Sequence, residues 1–335
     1  MVTRGVWVLL AVLVGAGCGG GAGQMASRPA GGSPSPIATG QAGPPALPFA
    51  VGTPVNLGRV VNGPGFDGGP SLSADGRELY LISDRPGSRQ GGGDIWVARR
   101  PSASAPFAPP QHLGAAVNSQ ANEGSPSISG DGLLLYFECF APGTVFTCLG
   151  PGLGASGNSD IWVATRRAAD RPFRAATHLG RPVNSPYTDG FPAISADGRR
   201  LYFASDRPGG SGDFDIWLAT DKSAGGGFHK AVNLGPPVNG PSYDGDPAIS
   251  ADGLMLFFSS DRPGGSGGQD LWVALRTSTG GPFGEPINLG PRVNTTGFEG
   301  RPALSSDGST LFFMSDRAGG FGGVDLWQVA IDRKA

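Results

Sequence analysis

An internal repeat constrains this chain more than any other feature of its sequence. The tripeptide Asp-Ile-Trp or Asp-Leu-Trp occurs five times, and successive tryptophans are separated by 66, 55, 55 and 55 residues. These tryptophans are Trp96, Trp162, Trp217, Trp272 and Trp327. A fixed period of this length is typical of an array of similar supersecondary units, each burying its apolar face against its neighbours. We expect the five tryptophans to be structural residues of the core.

Each repeat contains four short segments of strand-like composition. The first leads into an Asp-Gly turn, such as Asp197-Gly198, which is a strong hairpin signal between apolar runs. The third surrounds the tryptophan, and the fourth ends in Leu-Gly-x-x-Val-Asn. The 59 Gly and 31 Pro residues supply the turns between these segments. Four antiparallel strands per unit, repeated at a fixed period, predict an all-β protein with a β-propeller fold.

The two ends of the repeat array predict how the propeller closes. A Leu-Gly-x-x-Val-Asn segment precedes the first tryptophan unit, at residues 57–62, and none follows the last unit. Pairing this N-terminal strand with the last unit would close the ring and remove the open edge of a linear array. We therefore predict a monomeric five-bladed β-propeller over residues 47–335, with four-stranded antiparallel blades. An open solenoid or an oligomeric ring is the alternative.

The first eighteen residues have the pattern of an export signal. Arg4 precedes an apolar run at residues 6–14, and small residues lead to Cys18. Nine apolar residues are too few to span a bilayer as a helix. The pattern resembles a bacterial lipoprotein signal, which implies that Cys18 carries the lipid; secretion with ordinary cleavage is the alternative. Gly19 stands where an inner-membrane lipoprotein typically has Asp, so we expect a lipid anchor in the outer membrane, with the protein facing the periplasm or the exterior.

Residues 19–46 are predicted to form a disordered tether between this anchor and the propeller. The segment is rich in Gly, Ala, Pro and Ser, and its one charged residue is Arg28. Such a composition cannot bury enough apolar surface to fold. The formal net charge of the chain is −2, so it has no basic field to attract nucleic acid, and we expect no nucleic-acid partner.

The second repeat carries an insertion of 11 residues between Phe137 and Asp160. This region holds Cys139 and Cys148, an even pair that predicts a disulfide in an exported protein; two free buried thiols are the alternative. The region also lacks the Ser-Asp-Arg sequence of the other repeats. Its candidate partner-contact residues are Glu138, Phe140, Phe146 and Leu149. An apolar, disulfide-braced loop is typical of a binding surface, and an inert insertion is the alternative.

One acidic residue precedes the inner strand of every repeat. These residues are Asp67, Glu123, Asp189, Asp244 and Glu299. Because strands alternate in direction, they lie on the same face as the Ser-Asp-Arg loops and the insertion, here called the loop face, while the Asp-Gly turns lie on the opposite turn face. We expect the five carboxylates near the mouth of the central channel, where they would hold a cation such as Ca²⁺ or a basic group. Structural capping is the alternative, and we predict no other cofactor or metal.

The third repeat carries a family resemblance. Residues 193–217 contain Ala-Ile-Ser-Ala-Asp-Gly, Leu-Tyr-Phe-Ala-Ser-Asp-Arg-Pro-Gly-Gly and Asp-Ile-Trp. This run resembles the WD40-like propeller repeat of TolB-type periplasmic proteins, and the resemblance covers residues 48–331. It implies a protein-interaction scaffold of the bacterial cell envelope rather than an enzyme.

Catalytic signals are weak in this sequence. Of the three histidines, His112 and His178 occupy a repeat position that is Asn in the other units, which indicates a structural role. His229 stands alone, with no nucleophile motif or metal-ligand spacing near it. Paired carboxylates at a channel mouth would suit a glycoside hydrolase, but the candidate carboxylates belong to the repeated set, apart from extras such as Asp213 and Asp246.

The sequence therefore favours a non-enzymatic, envelope-anchored scaffold that binds one or more envelope proteins. The alternative is a module that binds cell-wall glycan or peptidoglycan, and a glycoside hydrolase is less favoured. Exposed aromatic side chains on the loop face would support glycan binding. The candidates are Phe66, Tyr187, Tyr243 and Phe298.

Overall fold

A computed structural model describes residues 46–88, 92–140, 159–221 and 227–333. These ranges contain β-strands and turns and no helix, so they hold no helical segment that is long and apolar enough to cross a membrane. The predicted export signal with Cys18 lies outside the described residues, as does all of the predicted tether except residue 46. Phe146, Cys148 and Leu149 of the insertion also lie outside them.

In these described ranges, twenty-one strands form five antiparallel sheets. The chain begins with β1 (Phe49–Val51) and β2 (Val55–Asn56). Blade one is β3 (Asp67–Leu72), β4 (Glu78–Ser83), β5 (Asp94–Arg99) and β6 (Gln111–His112). Blade two is β7 (Asn122–Ile128), β8 (Leu134–Phe140), β9 (Ser159–Thr165) and β10 (Thr177–His178).

The remaining blades follow the same order. Blade three is β11 (Asp189–Ile194), β12 (Arg200–Ser205), β13 (Asp215–Thr220) and β14 (Lys230–Asn233). Blade four is β15 (Asp244–Ile249), β16 (Met255–Ser260), β17 (Asp270–Leu275) and β18 (Ile287–Asn288). Blade five contains β19 (Glu299–Leu304), β20 (Thr310–Ser315) and β21 (Asp325–Arg333).

The N-terminal strands complete blade five. β1 and β2 both pair antiparallel with β21, with Val51 opposite Ile331 and Asn56 opposite Trp327. The first and last parts of the propeller are thereby joined in one sheet. The prediction of a five-bladed propeller closed by the N-terminal strand is confirmed.

The core consists of the apolar side chains between neighbouring blades. The second strand of each blade is almost fully buried, and Leu201, Tyr202 and Phe203 of β12 have no exposed surface. The five repeated tryptophans are 1% to 8% exposed. The arginine of the Ser-Asp-Arg loop lies over the tryptophan of its own blade, with Arg207 5.1 Å from the Trp217 ring. Burial of these large side chains is the main favourable contribution to the stability of each blade.

The inner strand of each blade contains a bulge. In β11 the pairing with β12 shifts between Gly190 and Ala193, and Phe191 has a φ of +53°. Each blade has a residue with positive φ at the same place, in a repeated Asp/Glu-Gly-x-Pro sequence. These residues are Gly69, Ser125, Phe191, Asp246 and Arg301. Positive φ is costly for any residue except glycine, so four blades keep a strained backbone at this position.

The Asp-Gly turns make stability depend on pH. Ser305 Oγ and Ser309 N donate to Asp307 Oδ1 over 2.6 and 3.0 Å, and these bonds hold the pKa of Asp307 below its ordinary value of 3.8. Because the folded-state pKa is lowered, this stabilisation is complete above pH 3.8 and is lost as pH falls through the folded-state pKa. Asp307→Asn keeps the acceptor oxygen but cannot titrate. We expect its melting temperature to fall less than that of the wild type between about pH 5 and about pH 3. An equal fall in both proteins would contradict this.

Candidate functional site

The five repeated acidic residues bind groups of their own blades. Asp189 is fully buried and forms an ion pair with Arg207 of the Ser-Asp-Arg loop. Its other oxygen accepts hydrogen bonds from the backbone N and the hydroxyl of Ser185, at 2.6 and 2.7 Å. The carboxylate thus ties the turn before the inner strand to the loop after the second strand. It is the first residue of the inner strand and does not lie in the preceding loop.

The same arrangement recurs around the ring. The further ion pairs join Asp67 to Arg85 at 2.5 Å, Asp244 to Arg262, and Glu299 to Arg317 at 3.2 Å. Blade two has no arginine at this position; Glu123 accepts from the backbone N and hydroxyl of Ser119, as Asp189 does from Ser185, and from Cys139 Sγ at 3.4 Å. Within the described residues, no group of three or more His, Cys, Asp or Glu side chains is arranged to hold a metal ion. The contacts of the five carboxylates are those of blade-stabilising groups.

A second set of side chains meets at the centre of the propeller. The residues of the bulge position lie at the axis, as shown by contacts between blades that are not neighbours. Arg301 of blade five lies 3.5 Å from Glu138 of blade two, measured from Nη2 to Oε1. Its guanidinium carbon lies 5.0 Å from the ring centroid of Phe191 in blade three. Blade five can meet blades two and three only at the axis, so these contacts define the centre of the channel.

One guanidinium contacts all four other blades. Besides Glu138 and Phe191, Arg301 reaches Asp246 of blade four, with Nε 3.7 Å from Oδ1. Its Nη1 packs against blade one at Gly69, where a Cβ would lie 3.3 Å from that nitrogen and 2.7 Å from Ile82 Cδ1. The absence of a side chain at Gly69 therefore makes room for the guanidinium. We call Glu138, Asp246, Arg301 and Phe191 the central cluster.

Glu138 is held firmly within this cluster. Ser125 Oγ donates to Oε1 over 2.8 Å, and the backbone N of Phe191 donates to Oε2 over 3.2 Å. A Cβ at Gly190 would collide with the same carboxylate. Glu138 is 9% exposed and lies in β8, so it belongs to the channel and not to the insertion with which the sequence associated it. Strand register, which the sequence alone did not reveal, turns it towards the axis.

Asp246 is the most buried charged group of the central cluster. Its side chain is 3% exposed, and burial raises the pKa of Asp246 above its ordinary value, although Arg301 opposes the rise. Tyr243 folds over Gly245 beside it, and burial raises the pKa of Tyr243 well above the usual range. The ring centroids of Tyr243 and Phe214 are 5.7 Å apart, and those of Phe214 and Phe191 are 6.3 Å apart. The polar cluster is thus flanked by an aromatic wall on blades three and four.

The remaining predicted residues lie at other places. Phe140 is the half-buried last residue of β8, paired with Ser159 and Asn122. Cys139 is buried, with Sγ 3.4 Å from Glu123 Oε1, and because Cys148 lies outside the described residues the disulfide stays a prediction. Tyr187 is 44% exposed, whereas Phe66, Tyr243 and Phe298 are half-buried.

Arg301, Phe191 and Ser125 are site residues that the repeat pattern did not predict. The pattern draws attention to residues that recur in every blade, and these three occupy the one position of Asp/Glu-Gly-x-Pro that does not recur. A signal was nevertheless present: Gly, Ser, Phe, Asp and Arg in one aligned position are chemically unlike one another. A position that varies within a strict repeat is not dictated by the needs of the blade.

Comparisons with known proteins support the fold. No family model matches this chain, and no curated protein matches it. A thermostable family-43 glycoside hydrolase is similar in structure, with a TM-score of 0.50, 15% identity, and coverage of 81% of this chain and 91% of that chain. A mutant of the GH43 protein BlXynB from Bacillus licheniformis has a TM-score of 0.51, 12% identity, and coverage of 84% and 57%.

A TolB-type propeller is also among the structural neighbours. TolB from Acinetobacter baumannii has a TM-score of 0.48 and 13% identity, and the match covers 82% of this chain and 58% of that chain. At these identities the likenesses are likenesses of fold. The likeness to the two family-43 proteins is therefore one of fold alone, and the function has to be argued from this chain's own residues.

The central cluster yields a direct prediction for stability. Arg301→Ala leaves Glu138 and Asp246 as buried carboxylates without a cation, and removing one partner of a buried ion pair costs roughly 3 to 5 kcal/mol. We expect a loss of about 3 kcal/mol in the free energy of unfolding, measured by denaturant titration. Adding Asp246→Asn should restore part of it, because one unpaired charge is removed. Arg59→Ala, at an exposed arginine over Phe321, is the control. Equal effects of Arg301→Ala and Arg59→Ala would contradict the prediction.

Proposed function

We propose that the protein is a non-enzymatic scaffold of the bacterial cell envelope that binds a partner protein through the loop face of its propeller. The observation that carries this proposal is the chemical asymmetry at the channel mouth. The repeated residues account for the fold, whereas Gly69, Ser125, Phe191, Asp246 and Arg301 differ from blade to blade. Binding and catalytic residues are concentrated where a rigid scaffold holds them in place, and residues that differ between otherwise repeated blades are not dictated by the repeat.

The geometry of the central cluster favours binding over hydrolysis. A glycoside hydrolase needs two carboxylates with separate roles on either side of the bond that breaks. Here Glu138 and Asp246 both contact the guanidinium of Arg301, and Asp246 is almost fully buried. Carboxylates that share one cation are poorly placed to donate and accept protons on a sugar. The enzymatic function is therefore the second candidate, favoured by the shared fold and by the presence of two central carboxylates.

The N-terminal pattern supports a place in the cell envelope. The export signal and Cys18 suit a lipid anchor, and residues 19–46 suit a tether of roughly 30 Å. We therefore propose attachment to the outer membrane, with the loop face free to meet a partner. The insertion after Phe140 is part of the proposed contact, since β8 ends and β9 begins at the loop face beside the central cluster.

The test of the scaffold function is cross-linking capture from envelope membranes. In one variant, residues 140–159 are replaced by the sequence of residues 206–214, the corresponding loop of blade three. In the matched control, residues 261–269 of blade four are replaced by the same nine-residue sequence. We expect the wild type and the control to capture the same protein and the blade-two variant to lose it. Capture of that protein by all three would place the contact elsewhere, and capture of none by the wild type would contradict the function.

The enzymatic candidate has a separate test. Aryl glycosides of arabinose, xylose and galactose are offered to the wild type and to Glu138→Gln, which keeps the side-chain shape but cannot act as an acid or base. We expect no turnover by either protein. Hydrolysis by the wild type that is lost in Glu138→Gln would establish the hydrolase and overturn the scaffold proposal.

A further inference from the structure

In each Ser-Asp-Arg loop the arginine side chain is largely buried and the aspartate side chain is exposed. The arginine side chains are 9% to 16% exposed and point inward to their ion pairs with the carboxylates of the inner strands. The aspartates are exposed, and one oxygen of each accepts from the backbone N of the residue just before an inner strand, as Asp206 does from Thr188 at 2.7 Å. These four aspartates, here called the aspartate rim, are Asp84, Asp206, Asp261 and Asp316.

The net charge of these groups around the channel mouth is negative in every blade. In each of four blades, two carboxylates accompany one guanidinium, which leaves a net charge of one negative unit when all are ionised. Blade two contributes Glu123 without any such arginine. At the centre, Glu138 and Asp246 share the single cation Arg301. Since the carboxylates of the rim are exposed and the arginines are not, the negative sign dominates at the surface.

Arg301 Nη1 of the central cluster has no hydrogen-bond acceptor among the described residues. The carboxylate of Asp246 is hydrogen-bonded by Ser259 and by the backbone N of Arg301, and Arg301 Nε lies 3.7 Å from its Oδ1. The carbonyl oxygens of a polypeptide supply acceptors for a nitrogen such as Arg301 Nη1.

Cations on the same face lie beside the outermost strands. Arg59, Arg181 and Arg292 are exposed in the turns that lead from an outer strand to the next inner strand. Arg59 lies 4.5 Å from the ring centroid of Phe321, and Arg292 donates to the carbonyl oxygen of Val51 at 3.3 Å. These arginines lie at the periphery of the loop face, so they do not neutralise the carboxylates at its centre.

We propose that the aspartate rim and the central cluster together bind a basic polypeptide segment, rich in lysine or arginine, of the partner. This inference rests on the proposed scaffold function and names the chemistry of the partner. The rim attracts the segment, and the centre supplies Glu138 as an acceptor and Arg301 Nη1 as a donor to the carbonyl oxygens of the segment. Opposed charges at a rim mainly raise the association rate and make binding depend on salt.

The test compares two charge-matched double variants of the full-length protein. Asp206→Asn with Asp261→Asn removes two rim charges, while the amide oxygens can still accept from Thr188 and Tyr243. Asp197→Asn with Asp252→Asn removes two charges from the turn face, where each aspartate likewise accepts from a backbone N and, in addition, from a serine hydroxyl. The probe is a fluorescent oligolysine peptide, with oligoglutamate as the reversed-charge control, at low and at high salt.

We expect the wild type and the turn-face variant to bind oligolysine equally, and oligoglutamate not at all. The rim variant should bind oligolysine roughly five- to ten-fold more weakly and with a smaller salt dependence. Equal binding by the rim variant and the wild type would overturn the inference, as would equal weakening of both variants.

Envelope capture with the same variants separates this inference from the function on which it rests. If the wild type and both variants capture one partner equally, the scaffold function stands and the basic-segment inference is wrong. If the wild type captures no partner while oligolysine binding still depends on the rim, the scaffold function is wrong and the preference for basic segments stands. Loss of the partner in the rim variant alone supports both.

Discussion

A buried carboxylate at the start of each inner strand is the interaction on which the rest of this structure depends. In four blades it pairs with an arginine two residues beyond the second strand, and it also caps the turn that enters the blade. A buried ion pair of this kind adds little net stability compared with apolar packing, but breaking it is costly. Its role here is to hold two loops in one geometry. Because the arginine turns inward, its neighbouring aspartate is left at the surface of the loop face.

The same inner strands determine what lies at the axis. The bulge before proline places one residue per blade where all blades meet, and these five residues are chemically different. Arg301 lies at this position and contacts the other four blades. A ring of repeated blades is thereby given one unique centre. The asymmetry needed for recognition arises without any change in the architecture.

Much of this fold follows from the sequence, because its determinants repeat. Trp217 and Asp197-Gly198 have counterparts in every unit, and the strand that closes the ring was expected from the pairing requirement of the last unit. The central cluster was missed for the opposite reason. Phe191 and Arg301 do not recur, and Glu138 adjoins the insertion in sequence while strand register places its carboxylate at the axis. Contacts between blades two, three and five depend on ring geometry, which no local pattern encodes.

Partners are proposed to meet the loop face at its centre. The most direct measurement places a photo-cross-linking residue at Tyr187, exposed on the loop face, or at Arg199, exposed in an Asp-Gly turn on the opposite face. Cells that express each form are irradiated, and adducts are identified by mass spectrometry. The account predicts a specific protein adduct from position 187 and none from position 199. The same adduct from both positions, or an adduct from position 199 alone, would contradict it.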